Sequence, residues 1–192
     1  LRGIKTDHGA KSIGTLVSPH STLEELYLAG ALVRGVGSDN IDYRLRNAEF
    51  TANEGVRWLG TPIASLSTLQ SVLVVGSNLR KDHPLFAQRI RQATRKGGMV
   101  TTINSEVFDW AMPVAQSLIA PSQLWTEALA QVAAAIAAEK SMPTPIAVES
   151  VSEGARGIAR ALMSGERKAI LLGNAAAHHA NASSLLALAQ WI

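Results

Sequence analysis

No cysteine occurs anywhere in the 192 residues. That absence removes a disulfide framework, a thiolate nucleophile, a sulfur-based zinc site and a cysteine-held iron–sulfur cluster. It also leaves the redox compartment unreadable from cysteine usage. Long apolar runs are missing too. Nowhere do about 18 apolar residues follow one another, so no membrane-spanning helix is expected. The Ala-rich stretch 128–138 is broken by Gln131 and followed by Glu139-Lys140, as in a packed helix of a water-soluble protein. Charge is sparse at 17%, which together with many Ala and Leu suggests a surface partly covered by a partner. The chain opens Leu1-Arg2-Gly3-Ile4-Lys5, without an initiator Met or an apolar signal core, and reads as a piece of a larger polypeptide.

A chain this long buries about 70% of the surface its unfolded form exposes, so a core forms without a metal or disulfide staple. The net charge of +3 is uneven. Residues 1–96 hold 13 Lys/Arg against 8 Asp/Glu, and residues 97–192 hold 5 against 7. The basic group Arg80-Lys81, Arg89, Arg91, Arg95 and Lys96 has no aromatic interleaving and matches no nucleic-acid motif. It reads as a solvated helix face with cations favourably placed at the helix C-terminus, and no nucleic-acid partner is expected.

The apolar pattern predicts alternating strands and helices. Residues 13–18 read as a short buried strand. A helix follows, with capping-box spacings at Ser21/Glu24 and Thr22/Glu25 and one face made by Leu23, Leu26, Tyr27, Gly30 and Val33. Residues 38–46 read as a polar loop. Ser71-Val72-Leu73-Val74-Val75-Gly76 has the continuous β-branched character of a central parallel strand covered on both faces. The stretch 77–83 is read as loop, and Pro84 opens a helix burying Phe86, Ile90 and Ala93 that Gly97-Gly98 ends. Met99 to Asn104 is then the next strand.

Further on, residues 116–120 suit a short strand, and a long helix from Ser122 carries Leu124, Ala128, Val132 and Ile136 on one stripe. Met142-Pro143-Thr144-Pro145 cannot continue it. Ser150/Glu153 is the spacing of another capping box, before a helix burying Ala155, Ile158 and Leu162. Ala169 to Gly173 is a last strand, and a final helix starts near Asn181. The pattern predicts an α/β fold: an open, mostly parallel, Rossmann-like sheet with helices on both faces. Residues 1–141 are expected to form the main lobe, and 142–192 a βα continuation on the same or an adjacent sheet.

Ligands in such sheets sit beyond the carboxyl ends of the strands. Two junctions qualify: Gly76, Ser77, Asn78 and His83 after one strand, and Gly173 with Asn174 after another. Glycine lets backbone approach a ligand, and Ser and Asn offer hydrogen bonds. The same residues also turn and cap any βα loop, and on pattern alone that plainer reading is favoured. Neither junction has G-x-G-x-x-G, and Gly35-Val36-Gly37 follows a helix and carries little. His178 and His179 are adjacent, not four apart, so they are read as turn or surface residues and no metal site is expected. Ser18 and Ser21 beside His20 lack a G-x-S-x-G elbow. No catalytic residue is assigned.

Taken together, Leu16-Val17-Ser18-Pro19, Ser21-Thr22-x-Glu24-Glu25-Leu26-Tyr27, Gly37-Ser38-Asp39-Asn40-Ile41-Asp42, Val74-Val75-Gly76-Ser77-Asn78 and His83-Pro84 with Arg89 resemble the second domain of molybdopterin oxidoreductases. In detail they resemble the large peripheral-arm subunit of bacterial respiratory complex I, the NADH-quinone oxidoreductase. The resemblance implies iron–sulfur clusters elsewhere in the parent subunit, other peripheral-arm subunits as partners, and a place on the cytoplasmic side of the inner membrane without direct insertion. It also implies a domain that, in complex I, is regarded as a relic without its cofactor. Two departures from the catalytic enzymes agree with that. Tyr43-Arg44-Leu45-Arg46-Asn47 stands where they have an Arg-x-Cys stretch, and Gly76-Ser77-Asn78-Leu79 replaces their glycine-asparagine-proline run. The expectation is a structural domain without a cofactor of its own. A working molybdopterin or dinucleotide domain is the alternative. That alternative requires an open, polar crevice at the sheet's carboxyl edge, whereas a relic has side chains closing it.

Overall fold

A computed structural model describes residues 1–18, 20–43 and 59–192. Residues 44–47 of the Tyr43–Asn47 departure, and Pro19, lie outside the described residues. The chain forms two compact units, Leu1–Asn47 and Ala48–Ile192.

In the first unit, helix α1 (Arg2–His8) precedes strand β1 (Thr15–Leu16), helix α2 (Leu23–Gly35) and strand β2 (Ile41–Asp42). The two strands are parallel, so the stretch read as polar loop contains a strand. Two residues paired to a partner equally short leave no apolar alternation to detect. Of the two capping boxes, the one on Thr22 forms. Its side chain accepts the Glu25 N–H, and the Glu25 carboxylate accepts the Thr22 N–H at 2.8 Å. The expected apolar face of α2 is only partly covered: Gly30 and Val33 are buried, while Leu23, Leu26 and Tyr27 are exposed.

The second unit is built on a four-stranded parallel sheet in the order β5-β4-β3-β6: β3 Ser71–Val75, β4 Met99–Asn104, β5 Gln116–Ile119 and β6 Lys168–Leu172. All five residues of β3 are buried. Val72 and Val74 point to one face, against helix α4 (Pro84–Thr94) and the 3-10 turn Ile63–Thr68. Leu73 and Val75 point to the other, against helices α5 (Trp125–Glu139), α6 (Glu153–Met163) and α8 (Ala182–Trp191). A strand enclosed in this way has no use for alternating polar residues, which is why its sequence is a continuous apolar run. Thr101 and Thr102 of β4 are buried as well. Their hydroxyls donate to the Val72 carbonyl at 3.3 Å and to the Ser117 hydroxyl at 3.0 Å.

The chain steps from β3 through α4 to β4 and on to β5, then returns past β3 to form β6. Reversing direction while keeping right-handed crossovers moves the later helices to the opposite face. Helices therefore cover both faces, as the pattern predicts. Residues 140–152 join α5 to α6, which pack on each other, and β6 beyond them lies on the same sheet as β3. The segment read as loop after β3 contains a short helix, α3 (Leu79–Asp82), and another, α7 (Asn174–Ala177), follows β6. The cap of α6 is Ser152, whose hydroxyl accepts the Ala155 N–H, and not Ser150. No helix among the described residues is long and apolar enough to cross a membrane.

Ile158 on α6 is fully buried against the sheet. Ile158→Ala is expected to cost about 2–5 kcal/mol, through lost burial and the cavity left behind. Leu85→Ala, at a side chain left 72% exposed, should change stability by less than about 0.5 kcal/mol. Urea denaturation of both variants checks the assignment of core and surface.

Candidate functional site

The strand order reverses between β3 and β6, and their carboxyl ends meet there. The two glycines singled out in the sequence lie side by side at this point. Gly173 N–H donates to the Val75 carbonyl at 2.8 Å, and Ala175 N–H donates to the Gly76 carbonyl at 3.1 Å. Gly76 takes φ +64°, a left-handed turn that costs glycine little. It is also tightly enclosed. A Cβ on Gly76 would lie 2.6 Å from Cζ3 of Trp125 and 2.8 Å from the Ala176 nitrogen. A Cβ on Gly173 would run into the Ser77 side chain and sit 2.7 Å from the Gly76 carbonyl oxygen. Both glycines are therefore required by the protein's own packing.

Ser77 and Asn78 are tied down locally. The Ser77 hydroxyl donates to the Asp82 carboxylate at 2.7 Å, and Asn78 N–H donates to the same oxygen at 3.0 Å. Ser77 N–H donates to Oδ1 of Asn104, at the end of β4, at 3.0 Å. Asn104 is not among the candidates that the sequence offers, where it is only the last residue of a strand. No local signal marks it, because its importance comes from the neighbouring strand. His83 is half-buried, stacks on Phe86 with ring centroids 5.3 Å apart, and lines an apolar cleft of about 430 Å³ with Gly173, Leu172 and Leu79. The structure brings Gly76, Ser77, Asn78 and Gly173 together. Asn174, next to Gly173, is exposed at the first turn of α7.

The other wall comes from α5 and the chain after α7. Trp125 is buried; its Nε1 donates to the Ala120 carbonyl at 3.0 Å, and its ring stacks with that of His179, centroids 6.0 Å apart. His179 is half-buried and held through both ring nitrogens. Nδ1 accepts the Asn181 N–H at 3.0 Å, and Nε2, 3.0 Å from the Ser122 carbonyl, is then the protonated nitrogen that donates to it. Reading it as a plain turn residue misses that role, since nothing local in the sequence points to Trp125.

Four buried polar atoms at this edge have no hydrogen-bond partner: Asn78 Oδ1, Asn104 Nδ2, Thr126 Oγ1 and His178 Nδ1. Each lies at or beyond the carboxyl end of a different strand. Such atoms are uncommon in native proteins and usually mark water or a ligand. Each is shielded by the surrounding protein, however, so a ligand reaches it only after that packing moves. No group of three or more His, Asp or Glu suited to a metal occurs among the described residues. The polar groups that the structure places at this edge are hydrogen-bonding ones, the Ser77 hydroxyl on the Asp82 carboxylate among them.

Arg80 on α3 anchors this region to the β4–β5 connection, pairing with the Asp109 carboxylate and donating to the Asp109 carbonyl at 2.9 Å. The Ala111 N–H, and then Arg80, hold the Asp109 carboxyl below its ordinary value. A depressed folded value stabilises the fold above the unfolded carboxylate range, and that contribution is lost as pH falls through the folded value. An NMR titration should find the Asp109 midpoint below that of an unperturbed Asp and raised again in Arg80→Ala. Gly76→Ala and Gly173→Ala should each cost about 3 kcal/mol or more, as strained overpacking, in denaturant titrations.

A profile of the molybdopterin oxidoreductase family matches residues 1–191. Among similar proteins, a probable oxidoreductase of Bacillus subtilis, YjgC, is 32% identical over 102 residues, covering 50% of this chain and 10% of that protein. A nitrate reductase of Klebsiella oxytoca is 33% identical over 102 residues, covering 50% of this chain and 12% of its own length. A putative formate dehydrogenase of Staphylococcus haemolyticus is 30% identical over 105 residues, covering 51% and 11%. Each match spans about a tenth of the relative's length. With the family profile running over nearly the whole sequence and the parallel sheet beneath it, the chain belongs to the molybdopterin oxidoreductase family.

Proposed function

We propose that this chain is an architectural domain of a larger redox protein, keeping the family's fold without holding a pterin of its own. On this reading its place is the large peripheral-arm subunit of bacterial respiratory complex I, on the cytoplasmic side of the inner membrane. Electrons pass from NADH to quinone through iron–sulfur clusters elsewhere in that subunit, and the neighbours of this domain are other peripheral-arm subunits. The observation that carries the proposal is the packing over Gly76. The space that the missing Cβ leaves there is taken by Trp125 and Ala176, so the glycine serves the protein's own packing. The departure at Gly76-Ser77-Asn78-Leu79 from the catalytic run supports the same reading. A shared fold leaves the activity open, because activity belongs to the site.

A second reading is that the domain binds molybdopterin or its dinucleotide in a working oxidoreductase. The names of the relatives, formate dehydrogenase and nitrate reductase, favour it. So do the unpartnered Asn78 and Asn104 amide atoms, which offer one acceptor and one donor at adjoining strand ends. The two readings differ in what the intact polypeptide carries.

The test is to purify the polypeptide that contains this chain, extract it for pterin and assay it for molybdenum and tungsten. Iron without pterin is the expected result; stoichiometric pterin with either metal overturns the architectural reading. In the assembled enzyme, Asn78→Ala and His83→Ala should leave turnover within about twofold of wild type. A selective loss of turnover in a fully assembled enzyme would count against it.

A further inference from the structure

We infer that the outer edge of β6 is a docking edge for a further parallel strand, apolar on both faces and supplied by the same polypeptide beyond α8. The inference holds whether or not the domain carries a pterin. β6 pairs with β3 along one edge, and among the described residues it has no strand along the other. The Arg167 carbonyl accepts the Gln70 N–H at 2.7 Å, and the Gly173 N–H donates to the Val75 carbonyl at 2.8 Å. Backbone groups alternate in direction along a strand. Residues 167, 169, 171 and 173 therefore turn theirs toward β3, and Lys168, Ile170 and Leu172 turn theirs outward. Sheet edges that end at solvent are commonly guarded by proline, bulges or charge. β6 reads Lys-Ala-Ile-Leu-Leu, with one charge at its start and no proline. It is built as an inner strand.

The space beside that edge suits a strand. The cleft of about 430 Å³ runs past Ile170, Leu171 and Leu172. Ala189 of α8, which packs with the core on one face of the sheet, lines it together with Leu79 and Phe86, which pack with the core on the other. A strand lying there extends both cores at once, which requires apolar side chains in both directions. The order of the connections names its source. On one face α4 carries the chain from β3 to β4; on the other, α5 and α6 carry it the opposite way, from β5 past β4 and β3 to β6. α8 lies on that second face. A right-handed crossover through α8 continues in the same direction and sets the next parallel strand on the outer edge of β6. Length agrees. The ten residues of α8 span about 15 Å, and the five of β6 about 16 Å, so the helix returns the chain to the end where a parallel strand begins. The relatives have chain to spare for such a strand, since the matched stretches cover only 10–12% of their lengths.

Hydrogen–deuterium exchange, read residue by residue in the intact polypeptide that contains this chain, tests the inference. The Ala169 and Leu171 amides, bonded to β3, exchange slowly in any case. The Ile170 and Leu172 amides should be slowed there by about 100-fold or more relative to an unstructured peptide, alongside their neighbours. In the 192-residue chain alone the same four amides should alternate slow and fast. Alternation that persists in the intact polypeptide overturns the inference. Should the chain not fold alone, the four amides of the intact polypeptide decide the matter by themselves. Sedimentation of the chain alone checks the choice of occupant. A monomer is expected, and a dimer with slow Ile170 and Leu172 amides would assign the edge to a second copy and overturn the strand from beyond α8.

Discussion

Strand β3 is the constraint on which the second unit depends. It is hydrogen-bonded along both edges, to β4 and β6, and packed on both faces. Every crossover is therefore measured from it: α4 lies over one face because β4 lies on one side, and α5, α6 and α8 lie over the other because β6 lies on the opposite side. A strand with no free surface leaves its own exit very little room. The chain leaves β3 through a left-handed Gly76 and meets the exit of β6 at Gly173, with backbone in contact with backbone. The crowded edge is thus a consequence of the sheet order.

How much of this is legible in the sequence depends on the range over which each feature is determined. β3 and β4 are local: a run of β-branched residues between turn residues is enough to locate them. The α5 helix is nearly as plain, and its Ala-rich surface is buried almost all round because α6, α8 and the sheet surround it. Caps are legible to within a few residues. Thr22 caps α2 as its spacing predicts, whereas Ser152 displaces Ser150 because the helix begins where Ala155 reaches the core. The pair β1 and β2 is not legible, since two residues carry no period.

The candidate site divides along the same line. Gly76, Ser77, Asn78 and Gly173 are recognisable as turn residues following strands, and the structure brings them together. Asn104, Trp125 and His179 belong to the same edge but come from three other elements, and their roles exist only once β4, α5 and the α7–α8 turn converge. An asparagine ending a strand and a tryptophan opening a helix are ordinary local patterns. Only a tertiary contact shows that the Asn104 side-chain oxygen holds the Ser77 N–H, or that the Trp125 ring bears on Gly76.

That contact also changes what a glycine at a βα junction means. In a nucleotide-binding sheet the missing Cβ makes room for a ligand, and the same glycine is equally necessary when the room is taken by protein. Gly76 and Gly173 would be retained in either case, so their presence says little about binding. At Gly76 the space a Cβ would need is taken by the Trp125 ring and Ala176. The unpartnered Asn78 and Asn104 atoms stand apart from this account. An edge shaped wholly by its own packing would pair them, and leaving a buried donor or acceptor unpaired costs about 1–3 kcal/mol each. Asn78 Oδ1 and Asn104 Nδ2 are left so, at the ends of neighbouring strands, and this is the feature of the edge that packing alone does not explain.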